Sequence, residues 1–170
     1  AVRLKERNVQ LNNQQRSKLE QLSNLTSKEA KNLLMKEIED EISSSRRMLQ
    51  LVLDTIPVGV FWKNRDFKYM GCNDTFARLI GIESAGSIVG KKDEEIMDSD
   101  IARSYIMTDR EIISSGVPKL NYEDQMFLPT GKVRILRKSK VPLTDSSGGI
   151  IGILGTYEDV TTQKNLREET

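Results

Sequence analysis

Few residues in this chain are of a type that does covalent or metal chemistry. There is no histidine and only one cysteine, Cys72. A single thiol forms neither an internal disulfide nor a zinc site. Without histidine there is no Ser-His-Asp or Cys-His relay, no histidine-ligated haem and no phosphoacceptor histidine. The adjacent carboxylates Glu94/Glu95 and Glu168/Glu169 read as solvated helix faces. The run Gly148-Gly-Ile-Ile-Gly-Ile-Leu-Gly155 follows a turn and opens a strand, so it fails the structural test for a phosphate cradle, which needs a helix. No nucleophile–base pair emerges, and the expectation is that this chain is not an enzyme.

The elements that would have to position any site fall into three regions, expected at residues 1–50, 51–162 and 163–170. Hydrophobic residues make up 37% of the chain and charged residues 30%. That balance suits a long solvated helix joined to a smaller core. The net charge of +1 argues for neither a nucleic-acid groove nor contact with an anionic membrane. No apolar run approaches a membrane span and no secretory leader is visible, so a cytoplasmic location is expected. The chain begins at Ala1 and ends in a helix-prone tail, which reads as a fragment.

Within 51–162 the pattern is β-rich. Two strand-like runs flank Asp145-Ser-Ser-Gly-Gly149, with Gly148 and Gly149 expected at positive φ in a hairpin loop. Pro142 lies near the first run's end, where a missing N–H is tolerated. Val58–Lys63 reads as strand one, Asn64–Asp66 as a turn and Phe67–Met70 as strand two. Asn73 caps a short helix with Phe76, Leu79 and Ile80 inward. Gly90–Met97 reads as a helical turn. Ser99 or Asp100 caps a longer helix, which Gly116 ends. Lys119–Leu128 is strand three. Pro129–Lys132 turns into strand four, and Ile150–Asp159 is strand five. Strands either side of a few short helices make an α+β domain.

This hairpin and its exit, Val133 to Thr161, resemble the end of a PAS domain. Pro57-Val-Gly-Val-Phe-Trp-Lys-Asn-Arg-Asp-Phe-Lys-Tyr-Met-Gly-Cys-Asn-Asp-Thr-Phe-Ala77 looks like the opening of PAS repeats upstream of histidine-kinase and diguanylate-cyclase domains. Gly90-Lys-Lys-Asp-Glu-Glu95, Ser114-Ser-Gly-Val-Pro-Lys119 and Pro129-Thr-Gly-Lys132 fall at the family's punctuation points. The resemblance implies a PAS-like five-stranded antiparallel sheet in the order 2-1-5-4-3, with helices over one face. It implies a sensory or relay module of a bacterial signalling protein. Any kinase, cyclase or phosphodiesterase domain would lie outside this chain.

A PAS domain encloses its ligand between sheet and helices. By that resemblance Trp62, Tyr69, Phe76, Tyr105, Tyr122 and Tyr157 are candidates to line a pocket, with Asn73 and Arg137 as polar anchors. Ordinary core packing is the alternative for the aromatics, and a solvated strand face for Arg137. Cysteinyl-flavin photochemistry is not expected, because the stretch where that class carries its cysteine, Gly90-Lys-Lys-Asp-Glu-Glu95, has none. Dark flavin binding, a small metabolite, an acid or fatty acid, and nothing at all remain as alternatives for the occupant. Asp159-Val-Thr161 matches the family's Asp-Ile-Thr junction, which joins the last strand to an output helix. Its carboxylate and hydroxyl can tie the exit turn to neighbouring groups, and Thr161 or Thr162 can cap the helix that follows.

Ahead of this domain, residues 1–24 read as a weak polar helix. Thr26 and Glu29 form a capping box that starts a second helix, running towards Thr55, before Pro57. Met35, Ile42, Leu49 and Ile56 are seven apart, with Ile38 and Val52 on the alternate seam. Ser45 interrupts that seam. The expectation is a parallel homodimer through this helix, with folding back on its own domain as the alternative. Residues Ser23–Glu41 also resemble the coiled-coil segment of ribonuclease Y, but that family's nucleic-acid-binding and hydrolase motifs are missing. The runner-up function is a structural dimerisation module with no ligand.

Overall fold

The computed structural model describes residues 2–23, 26–127 and 130–168. Asn24, with which the expected weak helix ends, the last residue of strand three, Leu128, and the first residue of the following turn, Pro129, lie outside them. The chain divides into two compact units, residues 1–49 and 50–170.

The first unit holds α1 (Val2–Ser23) and most of α2 (Ser27–Thr55). The capping box forms: the Thr26 amide donates to Glu29 Oε2 at 2.9 Å, and the Glu29 amide donates to Thr26 Oγ1 at 3.4 Å. The Thr26 hydroxyl also donates to Glu29 Oε2 at 2.6 Å, and this bond, with that from the Thr26 amide, holds the Glu29 carboxyl below its usual range. Lys18 pairs with Glu37 at 2.9 Å. No residue of α2 is buried. Met35, Ile38, Ile42, Leu49 and Val52 are exposed along its length. Ile56 lies one residue past the helix and is half-buried.

The second unit is the sheet domain. Its elements are β1 (Gly59–Asn64), β2 (Tyr69–Cys72), α3 (Asp74–Ile80), 3-10 turns at Ala85–Ile88 and Asp93–Glu95, α4 (Ser99–Ser115), β3 (Lys119–Phe127), β4 (Val133–Thr144), β5 (Ile150–Asp159) and α5 (Thr161–Glu168). The five strands form one antiparallel sheet in the order β2-β1-β5-β4-β3, as expected. The first 3-10 turn was not anticipated.

Local chemistry moves several boundaries. Strand two begins at Tyr69 rather than Phe67, because Asn64 Oδ1 accepts from both the Asp66 and Lys68 amides at 3.0 Å. Phe67 is thereby held in the turn at φ 61°. The cap of α4 is Asp98, whose side chain accepts from the Asp100 amide, and not Ser99 or Asp100. In the β4–β5 loop only Gly148 has positive φ (85°). Gly149 is there for space: a Cβ would press on the Asp145 carboxylate, which accepts from the Ser147 and Gly149 amides at 2.9 Å. Pro142 falls beyond Lys140, the last β4 residue that β3 pairs, in a stretch with one free edge.

Strand parity decides the core. Phe61 and Lys63 of β1, Leu136, Lys138 and Lys140 of β4, and Ile153 and Tyr157 of β5 are buried, and all lie on the face that α3 and α4 cover. Phe61, Tyr69, Phe76 and Tyr157 form the aromatic centre. Ring centroids are 4.7 Å apart for Phe61–Phe76 and 5.3 Å for Phe61–Tyr157. The close approach needs Gly155, where a Cβ would strike the Phe61 ring.

Candidate functional site

The inner face of the sheet carries an ionic network at its centre. Three lysines are buried there: Lys63, Lys138 and Lys140. Buried charges are costly unless they are paired and hydrogen-bonded. Two of these find fully buried partners. Lys63 Nζ of β1 lies 2.5 Å from Asp93 Oδ2 and 2.8 Å from Asp109 Oδ2. Lys140 Nζ of β4 lies 2.5 Å from Asp109 Oδ1. Asp109 of α4 thus bridges two strands with its two oxygens. The Tyr69 hydroxyl donates to the other oxygen of Asp93 at 2.6 Å.

Rings complete the shell. Lys63 sits 4.6 Å from the Tyr69 centroid, and Lys140 sits 5.0 Å from that of Tyr105. Burial pulls the Lys140 ammonium below its usual range, although Asp109 opposes the shift. Burial pushes the Tyr69 and Tyr157 hydroxyls upward, with the Asp93 charge adding to the effect at Tyr69. Among the described residues no buried side-chain nitrogen or oxygen lacks a hydrogen-bond partner.

The third lysine is placed differently. Lys138 Nζ contacts the Tyr105 hydroxyl at 2.7 Å and Asp124 Oδ2 at 2.8 Å. The lysine side chain is 2% exposed, whereas that of Asp124 is 50% exposed. Tyr105 and Asp124 both line a cleft of about 760 Å³ between α3, the start of α4, β3 and β4. Leu79, Ile80, Ile96, Ile101 and Met126 give that cleft apolar walls, and Arg78 and Arg134 stand on it. Its size falls in the range typical of small-molecule sites.

The candidates proposed from sequence divide. Tyr105 lines the cleft. Tyr69, Phe76 and Tyr157 lie in the core behind it, and the Tyr157 ring centroid is 6.1 Å from that of Tyr105. Tyr122 is half-buried, with Lys119 Nζ 4.5 Å from its ring centroid. Trp62 points away from the network, because it alternates with the inward Phe61 and Lys63. Its ring packs over Gly71, where a Cβ would collide with it. Arg137 lies on that same far face, 3.4 Å from Glu158 and 3.7 Å from Glu123. Asn73 has no capacity left for a ligand. Its Oδ1 accepts from Val60 and Phe76, and its Nδ2 donates to the carbonyls of Leu53 and Val58. It braces β1, α3 and the last turn of α2 instead.

The exit turn forms as its residues suggested. The Thr161 amide and hydroxyl both donate to Asp159 Oδ1, at 3.1 and 2.6 Å. Thr161 Oγ1 accepts from the Ile135 amide at 2.9 Å, which fastens the exit to β4. Thr161 is itself the first residue of α5 rather than a residue before it. Arg134, on the cleft wall, reaches Asp159 at 3.7 Å. Lys164 of α5 pairs with Glu123 of β3 at 2.7 Å.

Strand order and one-sided helical cover together define a PAS domain. The chain belongs to the PAS fold family, which residues 53–165 match. It is 30% identical over 120 residues to the aerobic respiration control sensor protein ArcB of Escherichia coli K12, covering 71% of this chain and 15% of ArcB. It is 30% identical over 121 residues to a diguanylate cyclase of Vibrio cholerae, covering 71% of this chain and 37% of the cyclase. The chain therefore spans well under half the length of these relatives. The structure of VqmA bound to DPO superposes with a TM-score of 0.59 at 24% identity, over 66% of this chain and 57% of that one, a likeness of fold. No helix among the described residues is long and apolar enough to cross a membrane.

Proposed function

We propose that this chain is the sensory or relay PAS module of a larger signalling protein. It homodimerises through α2 and passes a ligand- or strain-dependent change to an output domain beyond α5. The carrying observation is that one cleft residue, Arg134, also holds the carboxylate of the exit turn. Strand β3 supplies a second link. Asp124 faces the cleft and Lys138, while its neighbour Glu123 lies on the opposite face and holds Lys164 of α5. A ligand shifts such an equilibrium only by its difference in affinity for the two arrangements, so contacts at Asp124 and Arg134 carry the signal. The exposed apolar seam of α2 supports the dimer. VqmA, whose fold is similar, binds DPO, which supports a small molecule as the input.

Native mass spectrometry of freshly purified protein tests this reading. The expected result is a dimer carrying a reproducible extra mass, reduced to monomer by Ile42→Asp with Leu49→Asp. A dimer that survives the double substitution refutes the α2 interface. A bare mass leaves a structural dimerisation module.

A further inference from the structure

We infer that the cleft binds a small carboxylate with an aliphatic body, and that its acid group takes the place of Asp124 on Lys138. The inference rests on the sensory reading above and names its ligand class. The argument begins with charge. Lys63 and Lys140 are matched by Asp93 and Asp109, all four buried. Lys138 is equally buried, but its one carboxylate partner among the described residues is the half-exposed Asp124, which borders the cleft. A buried ammonium keeps an anion beside it. This anion is on a solvent-facing side chain, so it can leave provided another replaces it. The Tyr105 hydroxyl remains as a second polar contact 2.7 Å from the ammonium. The rings of Tyr105 and Tyr157, 4.4 and 4.8 Å from Lys138 Nζ, keep the cation in place when Asp124 moves.

The rest of the cleft fits the other end of such a molecule. Leu79, Ile80, Ile96, Ile101 and Met126 offer an apolar channel with no further hydrogen-bonding demand. The other acids nearby are already engaged: Asp98 caps α4, and Asp100 pairs with Arg103 at 3.8 Å. Arg134 adds positive potential at the wall. A neutral or cationic head group would leave Asp124 where it is and gain nothing from Lys138.

Octanoate and octanamide, compared by isothermal titration calorimetry, isolate the acid group at constant shape. Octanoate is expected to bind at least about tenfold tighter than octanamide, the advantage of a charge-assisted hydrogen bond over a neutral one. Asp124→Asn, which removes the internal competitor, tightens octanoate several-fold and leaves octanamide unchanged. Lys138→Met reduces octanoate to the octanamide level, and Lys138→Arg retains the preference. Urea unfolding of each variant establishes that it is folded before titration. Equal binding of acid and amide overturns the carboxylate assignment, as does weakening by Asp124→Asn. A preference that persists in Lys138→Met also overturns it, and moves the site to Arg78 or Arg134. Octanamide binding alone, or an uncharged molecule found by native mass spectrometry, leaves the sensory reading standing. Failure of both probes together with a bare native mass removes both.

Discussion

Replacing Asp109 by asparagine removes one negative charge from the centre of the network while keeping the side chain's shape. Lys63 retains Asp93 at 2.5 Å, but Lys140 is left with no carboxylate. Removing one partner of a buried pair typically costs about 3–5 kcal/mol. That is a fifth or more of the ~5–15 kcal/mol that holds a typical domain folded. Lys140→Met removes the other partner at similar volume. Asp93 and Asp109 are then left to share the single ammonium of Lys63, at 2.5 and 2.8 Å, so a cost of similar size, about 3–5 kcal/mol, is expected. The double variant Asp109→Asn with Lys140→Met leaves neither orphan and recovers roughly 2 kcal/mol or more relative to the sum of the single changes.

Urea unfolding followed through Trp62, the single tryptophan, reads this directly, and that ring lies on the sheet face away from the network. The pH dependence supplies an independent sign. Lys140 titrates below its ordinary value in the folded state, so the unfolded chain binds more protons between that folded value and 10.5. Stability from this group therefore rises with pH across that window. In Asp109→Asn the supporting carboxylate is gone and the folded value drops further, so the window widens downward. The deficit of the variant must then shrink as pH climbs. A cost below about 1 kcal/mol that is flat with pH, or additivity in the double variant, refutes the claim that Asp109 holds charged lysines in the core.

Two further outcomes are expected. Gly152→Ala places a Cβ against the Lys63 carbonyl oxygen, a backbone atom that cannot turn aside, so it should destabilise by about 3 kcal/mol, measured by urea midpoint. Glu123 is held below the usual carboxylate range first by the Lys164 hydrogen bond. Its contribution is complete above 4.5 and fades as pH falls through the folded value, so the protection factors of the α5 amides, corrected for intrinsic exchange at each pH, should fall in acid. Glu123→Gln should abolish that acid step; an unchanged step places its origin elsewhere.

Much of the fold was legible because its punctuation is local. Asn73 before an apolar helix, Gly116 after one, and Asp145-Ser-Ser-Gly-Gly149 between two strand-like runs each specify their own turn. The site was legible only in part. Tyr105 was named, but so were Trp62 and Arg137, which lie on the far face of the sheet; the sequence does not separate the two faces, since both carry large side chains. Lys63, Lys138 and Lys140 went unnoticed because a lysine in a strand ordinarily reads as solvated. One signal was present: Leu136, Lys138 and Lys140 alternate at the strand period, so a buried Leu136 takes two lysines inward with it. Their partners could not be read. Asp93 and Asp109 are 30 and 46 residues from Lys63, in segments that resembled ordinary turn and helix surface.

An ionic core is a poor way to gain stability, since apolar residues of the same volume often do as well or better. Its geometry suggests what it does supply. Apolar contacts tolerate sliding, but Asp109 must meet Lys63 and Lys140 with separate oxygens, which fixes α4 over β1 and β4 in one register. On the mechanism proposed above, such a fixed floor lets movement concentrate at the cleft end, where the buried Lys138 pairs with the half-exposed Asp124. Displacement of Asp124 then acts on a strand whose next residue already holds α5. A looser floor would let α4 follow the ligand, and the change would be absorbed in the core before it reached Glu123. The same substitution that destabilises the fold, Asp109→Asn, should therefore also weaken the response of α5 amide exchange to octanoate, even under conditions where the variant is fully folded.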